Sequence, residues 1–281
     1  MSRGAREGEA PPAPEPLAVA VADSHCHLDI MGGDVAGQLA QARAVGIDTV
    51  VQIGIDVPSS TLSAQLALDH EDVWAAVALH PNEAGRGAAT DDALAQIAEL
   101  AGLAQVRAVG ETGLDHFRTG PEGQGAQEAS FRAHIQIAKD TGKALVVHDR
   151  DAHDDVLRVL ADEGAPERVV FHCFSGDAAM ARVCADAGYY LSFAGPVTFK
   201  PNDALREAAA LCPADRLLVE TDAPFLTPMP YRGRPNAPYL VPLTVRALAA
   251  ARVADLDELC AAIAANTRRA FALRPALRPA L

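Results

Sequence analysis

The chain has 281 residues, 49% of them hydrophobic and 22% charged, with a formal net charge of -13. That length suits one large domain or two small ones with an ample core, and the acidic balance opposes broad non-specific binding to nucleic acid, leaving room only for a local phosphate site built from cations and a few arginines. The five cysteines, Cys26, Cys173, Cys184, Cys212 and Cys260, include no C-x-x-C pair and are odd in number, which argues against a disulfide framework and for a reducing, cytoplasmic setting. No apolar run approaches the ~18 residues of a membrane span.

Residues 1–16 are rich in Ala, Pro, Gly and Glu and lack an apolar segment, so they read as a disordered extension. One folded domain is expected over 17–273, with a tail over 274–281. The run 17–22 reads as a buried strand and leads into Asp23-Ser24-His25-Cys26-His27-Leu28-Asp29. Strand alternation puts His25 and His27 on one face and Cys26 on the other. Alone, a His-x-His pair is more often two polar residues in a loop than a metal grip.

Further on, strands are expected over 47–53, 73–79, 106–110, 144–147, 169–171, 189–193 and 217–220. Helical spacing covers 35–45, 58–70, 91–100, 125–141, 155–163, 178–187, 203–210, 241–252 and 255–271. Eight short, continuously apolar strands alternating with helices indicate a parallel sheet buried on both faces. The expected fold is an α/β (β/α)8 barrel of the TIM type, whose site lies at the C-terminal strand ends. An open doubly wound sheet is the alternative, but no glycine-rich fingerprint follows the first strand and polar residues follow many strands.

Those polar residues are His25 and His27 after the first strand, His80 after the third, Glu111 after the fourth, His148 after the fifth, His172 after the sixth and Asp222 after the eighth. A barrel gathers them into a ring. Setting His80 aside, four imidazoles and two carboxylates exceed one tetrahedral ion. They suit two divalent ions that share a carboxylate, acidify a water and clamp a phosphoester. Nitrogen and oxygen donors without thiolate admit Mg, Mn or Zn.

The segments DSHCHLD, LHPNEA, GETGLD, VVHDRDA, FHCFSG, YYLSFAGPVTFK, LLVETDAPFLTP with RGRPNAPYL, and NTRRAF, in this order from residue 23 to 271, resemble the TatD family of metal-dependent hydrolases, often described as TatD-type deoxyribonucleases. The resemblance implies an amidohydrolase-like barrel with two divalent metals that cleaves phosphodiester bonds from DNA ends. It implies His25, His27, Glu111, His148, His172 and Asp222 as metal ligands, Asp222 also as general base, and His80 as an active-site histidine near metal or phosphate. Asn82 is a departure, standing where many relatives carry another histidine.

Around this set, Glu220 shares a face with Asp222 and is expected to support a ligand, as are Asp115 and Asp29. Arg150 faces the mouth as a phosphate clamp, and Arg232 and Arg234 are candidates for holding a substrate backbone. Phe174 and Tyr231 could stack on a base or simply pack. His70, His116, His134 and His153 read as structural, and Cys26 and Cys173 as thiols turned away from the site. None of the three lysines, Lys139, Lys143 and Lys200, falls at a strand end suited to a carbamylated metal bridge, leaving Glu111 for that role. The expected partner is nucleic acid, single-stranded DNA ends above all, with no membrane and no obligate protein partner. The competing functions are another ester or amide hydrolase on the same site, such as a D-aminoacyl-tRNA deacylase, and a non-catalytic binding barrel, which would need a broken ligand set.

Overall fold

The computed structural model describes residues 8–273. Its eight strands are β1 (Val21–Cys26), β2 (Ile47–Ile53), β3 (Val73–Val77), β4 (Val106–Asp115), β5 (Ala144–Arg150), β6 (Val169–Phe171), β7 (Tyr190–Phe193) and β8 (Leu217–Val219). They lie in sequence order, each parallel to the next. Beyond β8, Ala223 bridges to Cys26, the Asp222 amide donates to the His25 carbonyl at 2.9 Å, and the His27 amide donates to the Ala223 carbonyl at 2.8 Å. The sheet therefore comes round to a (β/α)8 barrel, as the alternating pattern predicts.

Two apolar layers hold it. Between strands and helices, Val50, Val77, Leu145 and Phe171 pack with Phe131, Ile135 and Leu248. Inside the barrel, Val51, Ile53, Ala76, Ala108, Val146, Val170 and Leu218 form a plug that Phe271 joins. Small residues suit the narrow lumen, and the plug leaves the other end for polar groups. Helix starts follow the capping rules: Asp34, Asp56, Thr90, Asp177 and Asp255 each accept first-turn amides. Among the described residues no helix is long and apolar enough to cross a membrane.

Three strands differ from their expected bounds in a way that matters. β1 begins at Val21 rather than 17 and runs through His25, β4 continues through Glu111 to Asp115, and β5 continues through His148 to Arg150. These candidate residues lie in the sheet, not in loops after it. Polar side chains there hid the strands from an apolar-run reading. The register of β4 against β5 is irregular between Val109 and Thr112. At Gly113, with φ +140°, a Cβ would lie 2.1 Å from the His148 carbonyl oxygen. Only glycine lets β4 pass that close to β5.

The extension also differs. Residues 8–16 have no helix or strand, yet several of their carbonyls are hydrogen-bonded to the barrel wall. The carbonyls of Glu9 and Ala10 accept from Arg234, that of Pro11 from the Tyr239 hydroxyl, and that of Pro16 from Arg246. Composition indicated too little apolar surface for a core, but prolines, which carry no N–H, need only donors for their carbonyls, and the barrel wall supplies them. Residues 1–7 and the expected tail 274–281 lie outside the described residues.

Candidate metal centre

At the mouth of the barrel, β1, β4, β5 and the turns after β1, β3, β6 and β8 bring the expected residues together around Glu111. His25 Nε2 lies 3.6 Å from Glu111 Oε2 and 3.7 Å from Asp222 Oδ1; His27 Nε2 lies 3.9 and 3.6 Å from the same atoms. On the other Glu111 oxygen, His172 Nε2 stands at 2.8 Å, His148 Nδ1 at 2.5 Å and His80 Nε2 at 3.3 Å. The His25 and His172 rings stack with centroids 3.9 Å apart.

The far nitrogen of each ring settles which atom is free. His27 Nδ1 faces the Ile53 carbonyl at 3.2 Å, His172 Nδ1 faces Glu220 Oε1 at 3.2 Å, and His148 Nε2 faces Asp115 Oδ2 at 3.3 Å. Each of these nitrogens therefore donates, and in the neutral ring the opposite nitrogen's lone pair points into the cluster. Tying one imidazole N–H to a carbonyl or carboxylate so that the other nitrogen can ligate is the usual arrangement around a metal. His80 is the reverse case. Its Nδ1 accepts from the Asn82 amide at 3.0 Å, so in the neutral ring Nε2 carries the hydrogen and is a donor.

The set fits a divalent cation. Lone pairs of His148 and His172 facing a carboxylate oxygen repel unless positive charge lies between. Both ring nitrogens of His25 are buried without a hydrogen-bond partner, a costly state for a polar ring that nothing ligates. Three sets of potential ligand atoms, each mutually within 4.8 Å, occur among the described residues: His25, His27 and Asp222; His25, His172 and Glu220; and His80, Glu111 and His148.

Protonation tells the same story. A proton can take the cation's place: burial works against the Glu111 carboxylate, but the charges of His172 and His80 and the hydrogen bonds from protonated His148 and His172 hold its pKa well below the usual range. Burial likewise opposes a charged His172, yet Glu111 and Glu220 push its pKa well above the ordinary value. Burial lowers His25, where nearby His172 adds to the effect. The carboxylates that draw protons onto these rings would draw a cation in the same way.

The supporting residues are placed as expected in part. Glu220 is buried, accepts from the Cys173 amide at 2.8 Å besides His172, and leaves Oε2 unpartnered. Asp115 is held by the Arg118 amide and by Asn82 Nδ2 at 3.1 Å. Asn82 thus orients Asp115 instead of facing substrate. Asp29 is bonded by Gln52. Arg150 lies at the rim, its guanidinium 4.0 Å from the Phe117 ring centre, and no carboxylate among the described residues pairs with it. Arg232 is exposed and stacks 4.4 Å from the Phe199 ring centre.

Arg234 does not stand free for substrate: its guanidinium is spent on the Glu9 and Ala10 carbonyls, with Glu9 Oε2 at 3.5 Å. Phe174 is buried against Phe193 and is no stacking platform. His134 is structural, accepting the Leu79 amide on Nε2 at 3.0 Å and donating from Nδ1 to the Ser130 carbonyl at 2.7 Å. His153 pairs with Asp149 at 2.7 Å. Burial pushes the Cys26 and Cys173 thiols well up, which keeps them protonated and out of ligation. Lys139 and Lys143 bond carbonyls of Glu163, and of Leu103 and Val106, away from the mouth.

One participant went unweighed in the sequence. Asp23 is fully buried, accepts the Thr221 amide and hydroxyl, and thereby ties β1 to the turn that carries Asp222. Burial pushes its carboxyl up to about 7 despite those bonds. Its position two residues before His25, at the head of the motif, was the available signal.

Comparison with known proteins places this geometry. Residues 22–272 match the family model described as TatD related DNase. A relative from Mycobacterium tuberculosis, described as an uncharacterized metal-dependent hydrolase TatD, is 46% identical over 259 residues, covering 89% of this chain and 97% of its own length. A Klebsiella pneumoniae protein named 3′-5′ ssDNA/RNA exonuclease TatD is 34% identical over 84% of this chain and 90% of its own. The crystal structure of the Escherichia coli TatD homologue YjjV superposes with a TM-score of 0.85 at 28% identity, covering 90% of this chain and 98% of that one. A match running the length of the barrel, a relative at 46% identity and a shared architecture agree on one assignment: the chain belongs to the TatD family of metal-dependent hydrolases.

Proposed function

We propose that this protein is a nuclease that removes nucleotides from single-stranded DNA ends, with His25, His27, Glu111, His148, His172 and Asp222 holding two divalent cations, Glu111 shared between them. The observation that carries the reading is the inward turn of the free nitrogens of His27, His148 and His172 onto Glu111 and Asp222, with buried His25 beside them lacking any other partner. Two cations there would polarise a phosphoryl oxygen and acidify a water, chemistry that suits phosphodiester cleavage.

The chain's own groups supply the rest. The Asp222 side chain is 15% exposed, more open than the 5% of Glu111, so it is the carboxylate that can receive a proton from the attacking water. The His80 N–H, which faces Glu111 at 3.3 Å, could be shared with a phosphoryl oxygen bound beside it, and Arg150 lies at the rim where the next phosphate along the strand would pass. With a net charge of -13 the protein has no overall attraction for polyanions, so grip is local and favours ends and frayed strands over long duplex. The Klebsiella relative's name, an exonuclease on single-stranded DNA and RNA, supports the same substrate class.

The test is end-labelled single-stranded DNA, single-stranded RNA and aminoacyl-tRNA incubated separately with Mg, Mn and Zn. Stepwise shortening of DNA from one end is expected. DNA left intact with every metal while the aminoacyl ester is cleaved would overturn the nuclease in favour of a deacylase.

A further inference from the structure

Residues 8–16 lie outside the stretch 22–272 that matches the family, and they run from the foot of the barrel to its mouth. At the foot, the Leu17 amide donates to the Val45 carbonyl just before β2. At the mouth, a Cβ on Gly8 would touch Pro235, in the loop that follows β8. A polyproline-type chain rising ~3.1 Å per residue would span about 25 Å over this stretch. Pro11, Pro12, Pro14 and Pro16 stiffen it and remove donors. Its carbonyls meet Arg234, Tyr239 and Arg246, and Pro11 is buried.

The loop it reaches needs such support. Residues 223–237 contain no helix or strand and include Pro224, Pro228, Pro230, Gly233 and Pro235, so no ladder of hydrogen bonds holds them. The loop's outer part is fixed at Arg234, whose carbonyl accepts from Thr227 and whose guanidinium grips Glu9 and Ala10. Its base lies on the site: Asn236 donates to the Thr221 carbonyl at 2.9 Å, and Phe225 stands edge-on to His27 at 6.1 Å. Between base and anchor is Arg232, exposed on Phe199.

We propose that residues 8–16 are a strap that positions the rim loop 223–237, and Arg232 with it, for binding a polyanionic strand, so that the strap sets KM and not kcat. The inference rests on the nuclease reading for its substrate but not for its structural half. Arg234 and Tyr239 are then positioning residues that act through the strap. Without the strap the loop is held at its base by Asn236 and midway by the Met229 amide on the Thr198 hydroxyl at 2.8 Å, leaving residues 231–234 to sample positions in which Arg232 misses the strand. The residues proposed to hold metal and the proton-accepting carboxylate lie on β1, β4 and β5 and in the turns after β1, β6 and β8, and no hydrogen bond among the described residues joins the strap to them.

Two full-length variants test this: a triple Pro11→Gly, Pro12→Gly, Pro14→Gly, which keeps every carbonyl but loosens the strap, and Tyr239→Phe, which removes one donor. Limited trypsin cleavage reads the loop directly, because Arg232–Gly233 is cleavable whereas Arg234 is followed by proline. For the triple variant, cleavage at Arg232–Gly233 should accelerate on the order of fivefold to tenfold, from the chain freedom that glycine returns. KM for a single-stranded oligonucleotide should rise by about the same factor, with kcat within about twofold and metal content unchanged. Tyr239→Phe should move both readouts the same way by a smaller factor. An unchanged cleavage rate, an unchanged KM, or a fall confined to kcat would each overturn the strap. If the unaltered protein leaves DNA intact with every metal, the nuclease reading has failed instead, and the strap is judged by cleavage at Arg232–Gly233 alone, where an unchanged rate overturns it.

Discussion

Replacing Glu220 by Gln probes how much of the metal affinity comes from a residue that need not touch the ion. Glu220 is wholly buried, and its Oε1 accepts from His172 Nδ1 at 3.2 Å and from the Cys173 amide at 2.8 Å. Glutamine keeps the length and one acceptor but removes the charge that makes His172 electron-rich. Losing such a support costs about tenfold to a hundredfold in metal affinity, or about 1.4–2.8 kcal/mol at 1.4 kcal/mol per tenfold. A second effect acts on the fold. Glu220 Oε2 has no partner, so an amide there buries donors with nothing to meet, at roughly 1–3 kcal/mol. The two effects separate in one experiment. Calorimetric titration of the chelator-stripped protein reads affinity, and thermal unfolding with and without saturating metal reads the fold. Affinity should fall at least about tenfold, while the unfolding temperature falls in both states. Affinity within about twofold of the unaltered protein, at any unfolding temperature, would refute the idea that Glu220 acts through His172.

Further outcomes follow from the same geometry. Chelation should abolish hydrolysis and lower the unfolding temperature, since Glu111 and the four imidazoles are left facing one another; full activity in a metal-free sample by elemental analysis would contradict it. Glu111→Gln should lose bound metal and most of kcat, measured by metal content and single-turnover rate; normal values for both would place the shared carboxylate elsewhere. Gly113→Ala forces a Cβ to 2.1 Å from the His148 carbonyl at φ +140°, so it should destabilise by roughly 2–4 kcal/mol, seen as a reduced urea midpoint. His134 has its pKa lowered by burial from 6.5 to about 4. The folded state therefore binds this proton less readily than the unfolded chain. The stabilisation is complete above pH 6.5 and is lost as pH falls towards 4, by up to about 3 kcal/mol. Urea unfolding of His134→Gln should show a flatter decline across that window, and an identical slope would remove His134 from the account.

Much of this was legible in the chain because the barrel strands are buried on both faces and read as apolar runs closed by a His, Glu or Asp. Where a strand itself carries the site, that signal fails. His25, Glu111 and His148 lie inside β1, β4 and β5, and the apolar runs stop short of them. Glu220 was readable from its two-residue spacing to Asp222. Asn82 was not, because whether an amide faces substrate or a neighbour such as Asp115 depends on a contact 33 residues away. The pairing of Arg234 with the extension was not legible. Each is polar and lies in a proline-rich stretch, and neither signals a partner until Glu9 is brought beside Arg234 across 225 residues.

The barrel has a seam. Between β8 and β1 the ladder shrinks to the Cys26–Ala223 bridge, the two backbone bonds around it, and the Asp23–Thr221 clamp. His25 and His27 lie on one bank of that seam and Asp222 on the other. A cation gripped from both banks would act as a rivet, so that filling the site also shuts the sheet. Amide hydrogen exchange would then report the loading of the centre at a place where no chemistry occurs: the amides of His27 and Asp222 should exchange more slowly with metal bound, while those of β5 and β6, held by paired strands on both sides, should change little.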